Sequence, residues 1–189
     1  MLKHICLLSV VILFAACRDK GKNGDLLDEM AGREINEPYE PLFLQDTAVA
    51  SLNKVTIKDN YYKPAIEREV VDFYKKYNYQ TRWLYQNKPS PLFASYIKTL
   101  TELTDYGFFP QNYRQHELDS LVGHLYQHKD SLFLKQLEMT DREITASFLL
   151  LTRHLTQGRI PKVGDDVRVW KRKKPIFDNV ELLLKLKDT

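Results

Sequence analysis

Ile66, Val70, Phe73 and Tyr77 fall at i, i+4, i+7 and i+11, while Asp72, Lys75 and Lys76 occupy the other side. That spacing predicts an amphipathic helix beginning near Pro64. Ser90-Pro91 supplies an N-cap followed by a proline at the first helical position. Leu92, Tyr96, Leu100 and Leu103 then form a stripe widened by Phe93 and Ile97, with Lys98, Thr101 and Glu102 opposite, and Gly107 ends the element as a left-handed cap. A third helix is expected from about Gln115 to His128, with Leu118, Leu121, Val122 and Leu125 inward, and a short fourth over Leu132 to Leu137.

Thr140-Asp141-Arg142-Glu143 has the form of a capping box, which opens the strongest helix of the chain, from Asp141 to Gln157, stopped by Gly158. Ile144, Phe148, Leu151 and Leu155 make its stripe, yet Leu149 and Leu150 point elsewhere. A helix apolar on more than one side belongs at the centre of a domain. Beyond it, Arg159 to Lys174 reads as an irregular or extended link, with a weak strand alternation at Val167 to Trp170, and Asp178 and Glu181 cap a last helix over Asn179 to Lys187. The expected fold is all-α, an irregular bundle of about five or six helices over residues 63–189.

The front of the chain has a different pattern. Lys3 and His4 precede an apolar run, Ile5 to Ala16, interrupted only by Ser9 and closed by the small residues Ala15 and Ala16. This is the layout of a secretory signal peptide over residues 1–16. About twelve apolar residues give a helix of about 18 Å, too short for the roughly 30 Å hydrocarbon core of a membrane. Leu13-Phe14-Ala15-Ala16-Cys17 is similar to the lipobox of bacterial lipoproteins, with Phe14 where leucine is usual and Leu13 one place early. Cys17 is thus the expected lipidation site, and its acyl chains would hold the protein on a membrane. The other expectation is ordinary secretion with an incidental cysteine. Residues 17–62 are charged or polar, with scattered apolar side chains and no sustained period, and read as a flexible tether spanning roughly 35 to 40 Å. Leu42 to Leu44 and Val55 to Ile57 are the parts able to pack onto the domain.

Composition changes this picture little. The chain is 43% hydrophobic and 12% aromatic, which suits one globular domain. Its formal charge of +3 falls to +2 when Lys3 is removed, too small for a nucleic-acid footprint, so no nucleic-acid partner is expected. Both cysteines, Cys6 and Cys17, lie in the first 17 residues, so no disulfide ties the helical body.

The order of the landmarks carries a resemblance. Phe73-Tyr74, Trp83-Leu84, the Leu92 to Leu103 stripe running into Tyr106-Gly107-Phe108-Phe109-Pro110 and Tyr113, then Ile144 to Leu155 running into Gly158-Arg159-Ile160-Pro161 and Trp170, together resemble the helical scaffold domain of periplasmic L,D-transpeptidases. The resemblance implies work on peptidoglycan. Such enzymes cleave a donor tetrapeptide stem and pass its acyl group to a neighbouring amine, using a cysteine thiolate activated by histidine in a separate catalytic domain. No residue here matches that domain's cysteine motif, and a lipidated Cys17 offers no thiolate. No catalytic residue is therefore carried over. The implied partners are a catalytic L,D-transpeptidase domain in cis or trans, peptidoglycan, and a membrane on the periplasmic side of the cell envelope. The final helix breaking off at Thr189 suggests a scaffold cut short, in which Leu183 and Leu184 would be left exposed.

Other chemistry is weaker. His124 and His128 are i, i+4 with His116 on the same flank, but no HExxH glutamate follows, and a solvated face is the better account than a metal site. His154 is expected as a partly buried structural histidine. Asp165-Asp166 and Glu67-Glu69 lack the spacing to face one another across a cleft. Lys171 to Lys174 form a basic run suited to a solvated link or to anionic wall polymer or headgroups. No metal and no cofactor are expected. Two functions of different class follow: the scaffold portion of a lipid-anchored L,D-transpeptidase, or a stand-alone non-catalytic helical envelope lipoprotein that binds a protein or wall partner.

Overall fold

The structure, a computed structural model, describes residues 39–45, 49–158 and 178–187. In chain order its elements are strand β1 (Pro41–Phe43), helices α1 (Val49–Leu52) and α2 (Lys63–Lys76), strand β2 (Gln80–Tyr85), helix α3 (Pro91–Glu102), 3-10 turns at Leu103–Tyr106 and Pro110–Tyr113, and helices α4 (Gln115–Gln127), α5 (Phe133–Gln157) and α6 (Asn179–Lys185). The class is the all-α bundle expected.

The long helix α5 is its axis. Helices α2, α4 and α6 and strand β2 all pack against it. Leu137, Ile144, Phe148, Leu149, Leu150 and Leu151 are buried around much of its circumference, which is what apolar residues on more than one side require. Leu155 at its end is instead partly exposed. Local signals place the neighbours: Ser90 accepts a hydrogen bond from the Phe93 N–H to start α3, Gly107 at φ 77° closes the following 3-10 turn, and Asp178 caps α6 through the N–H groups of Val180 and Glu181.

The structure corrects several expectations. The short fourth helix and the helix from Asp141 are one continuous α5 beginning at Phe133. Thr140-Asp141-Arg142-Glu143 caps nothing, because Asp141 turns inward to bond another segment. A two-stranded antiparallel sheet is present, with Pro41 opposite Tyr85 and Phe43 opposite Gln80. Thr81 to Tyr85 are all buried, so β2 has no alternation for a period-two pattern to reveal. Packing also reaches into the segment expected as tether: Leu42, Leu44, Leu52, Val55, Ile57 and Tyr62 join the core. Leu121, expected inward, is exposed. Leu183 is fully buried and Leu184 packs partly against the core, so α6 closes the bundle instead of leaving it sticky.

Gly123 sits inside α4 with open space where a side chain would begin. Because glycine in a helix interior gives away roughly 1 kcal/mol relative to alanine, Gly123→Ala should raise stability by about 0.5 to 1 kcal/mol in urea denaturation. A lowered midpoint would show that the helix backbone there is strained.

Candidate functional site

The densest polar arrangement lies inside the bundle. Asp141, fully buried on α5, accepts the Tyr74 hydroxyl at 2.5 Å, the Arg82 N–H at 3.1 Å, the Trp83 N–H at 2.7 Å and the Leu84 N–H at 2.8 Å. Thr145, one turn on, meets the Tyr74 hydroxyl at 2.9 Å and accepts the Trp83 indole N–H at 2.9 Å. One carboxylate thereby satisfies three consecutive backbone donors of β2 and locks the strand onto the central helix. Trp83 is then held against Tyr96 and Phe148, with ring centroids 5.4 and 5.5 Å away.

Burial pushes Asp141 up to about 6 from its ordinary 3.8, against the downward pull of the Tyr74 hydroxyl and the three N–H groups. With the folded-state value raised, the native protein holds the proton more tightly than the unfolded chain does. The stability from this group is therefore complete below pH 3.8 and is lost as pH rises through about 6. Tyr74→Phe removes the strongest lowering contact, so the midpoint of the Asp141 carboxyl carbon shift in an NMR titration should move upward. An unchanged midpoint would mean that the hydroxyl does not support the ionised form.

A second chain of contacts ties the opposite end. His154, 2% exposed, places Nε2 3.1 Å from Asp59 Oδ2 and Nδ1 3.0 Å from the Tyr113 hydroxyl. Asp59 also accepts the N–H groups of Tyr61 and Tyr62, and Ser147 donates to the Tyr113 carbonyl at 2.6 Å while meeting the Tyr96 hydroxyl. An acid, a histidine and a hydroxyl in sequence resemble a relay, but Tyr113 is buried and its hydroxyl faces no substrate. The linkage joins α5, the 3-10 turn and the segment before α2.

The residues singled out from sequence are dispersed. Cys17, Cys6, Asp165-Asp166, Lys171 to Lys174 and the weak strand at Val167 to Trp170 lie outside the described residues. His124 and His128 stack with ring centroids 4.5 Å apart, and among the described residues no cluster of three metal-ligating side chains forms. Glu69 is not paired with Glu67 in any acid pair; it binds Arg153, and burial raises its pKa. His154 is structural, as expected, and more deeply buried. Asp141, Thr145 and Asp59 were not legible as a constellation, since their partners lie far along the chain.

On the outside, α4 and α5 run antiparallel and leave an open groove of about 260 Å³ between them. Leu121, His124, Leu125, Gln136, Met139 and Thr140 line it, and the Arg114–Glu143 ion pair closes one end. Leu125 forms the buried floor, and Leu121 and Met139 the exposed lips. Among the described residues no helix is long and apolar enough to cross a membrane.

Buried ionisable groups spent on tying elements together, with an apolar groove between two outer helices, define a helical platform domain. The chain belongs to the scaffold-domain family, whose model, described as Scaffold domain, matches residues 68–189. No curated protein and no solved structure matches the chain.

Proposed function

We propose that this chain is the scaffold portion of a lipid-anchored murein L,D-transpeptidase, a helical platform that holds a catalytic cysteine domain, in cis or in trans, toward peptidoglycan. The observation that carries the reading is positional: the landmarks from Phe73 to Trp170 that resemble the transpeptidase scaffold lie in order within the span matched by the scaffold-family model. The buried roles of Trp83 and Tyr113 and the left-handed Gly107 are consistent with those landmarks serving one rigid body. Cys17 is the proposed lipid attachment point, and the periplasmic side of the cell envelope the proposed location.

Two measurements test this. Mass spectrometry of the native product should find residues 1–16 removed and Cys17 acylated; an unprocessed amino terminus would remove the anchor from the proposal. The purified chain should add no activity of its own on tetrapeptide stems, but should accelerate cross-linking by a separately purified L,D-transpeptidase catalytic domain. No acceleration, with no chemical cross-link between the two, would instead favour a stand-alone envelope lipoprotein.

A further inference from the structure

We propose that the groove between α4 and α5 docks an acidic amphipathic helix of a partner protein. This goes beyond the scaffold assignment and does not rest on it. The groove is bordered on α4 by Leu121, His124 and His128, and on α5 by Leu132, Gln136 and Met139. Each set repeats at three- and four-residue steps, the spacing that keeps side chains along one seam and that a third helix meets with its own i, i+3, i+7 anchors. The apolar members are unusually open: Leu121 is 44%, Leu132 54% and Met139 51% exposed, above the buried Leu125. Surface apolar side chains scattered singly are ordinary, whereas three along one seam over an apolar floor fit a contact.

Charge selects the kind of helix. The acids near the groove are already engaged: Glu143 with Arg114 and the Thr56 N–H, Glu117 with Arg114 and Lys58, and Asp130 with the Leu132 N–H. Lys135 stands one helical turn before Met139 on the same face and forms no ion pair among the described residues, and His124 and His128 contact each other along the opposite rim. The uncommitted rim groups are cations or titrate to cations. A partner helix with leucine-type anchors flanked by Asp or Glu satisfies both the seam and the rim, and a basic helix would meet like charge.

The test uses the full chain and two synthetic helical peptides, one with leucines at i, i+3 and i+7 flanked by glutamates, the other with those glutamates replaced by lysines. Fluorescence anisotropy at low salt should show the acidic peptide bound about ten-fold or more tightly than the basic one. Leu121→Glu and Met139→Glu, both at exposed sites where the fold has room, should each weaken it by about ten-fold while the circular dichroism spectrum and melting curve stay unchanged. Lys135→Glu should narrow the preference for the acidic peptide. Equal binding of the two peptides, or binding indifferent to both groove variants, would overturn the proposal. Self-association of the chain in sedimentation, abolished by Leu121→Glu, would overturn it too by making a second copy the occupant.

Discussion

Asp141→Ala should leave this protein unable to hold its fold. The substitution removes the acceptor for the Arg82, Trp83 and Leu84 N–H groups and for the Tyr74 hydroxyl, all of them buried. Each buried donor left without a partner costs about 1 to 3 kcal/mol, so the sum approaches the roughly 5 to 15 kcal/mol by which a whole domain is stable. Asp141→Asn is the instructive comparison. Its single oxygen can keep the Trp83 and Leu84 donors while its amide faces the Tyr74 hydroxyl, which can turn to accept. The asparagine variant should therefore fold, at a cost of about half the alanine effect. Urea denaturation followed by circular dichroism decides: an alanine variant with the wild-type midpoint would mean that water reaches β2 and replaces the carboxylate.

The second large effect is expected at Trp83. Its indole is fully buried between Tyr96 and Phe148, and its N–H donates to Thr145. Trp83→Ala should cost about 3 to 5 kcal/mol through lost burial and the cavity left behind. Trp83→Phe keeps most of the ring contact but leaves Thr145 without its donor, and about 1 to 2 kcal/mol is the expected loss. If both variants melt together with the wild type, the indole is not part of the packing that fixes β2.

Helices with a solvent face were legible before any coordinates. Ile66, Val70 and Phe73 alternate with charged neighbours, and Ser90, Gly107 and Asp178 act through contacts within a few residues, so each announces itself locally. What the sequence hid depends on distance along the chain. β2 is buried on both faces and offers no period. Asp141 looked like a cap because Glu143 follows at the right interval, yet its partners lie 57 to 67 residues away and Glu143 serves Arg114 and Thr56. Leu121 was read as inward because an apolar residue at helical spacing is usually core; only the placement of α5 reveals that it borders a groove. The lipidation site and the basic run remain as sequence expectations, whereas the all-helical class and the scaffold family are established.

The segment preceding α2 is laced to the long helix at four successive points. The Gln45 N–H reaches Glu138, Ser51 receives Arg142, the Thr56 N–H reaches Glu143, and Asp59 meets His154. From Glu138 to His154 these rungs cover about 24 Å of helix. A pull entering the body at Tyr39 would thus be shared among several bonds along a stiff rod before it could unseat the core, so the same lacing that orders the amino-terminal segment also makes this end of the molecule resistant to mechanical tearing.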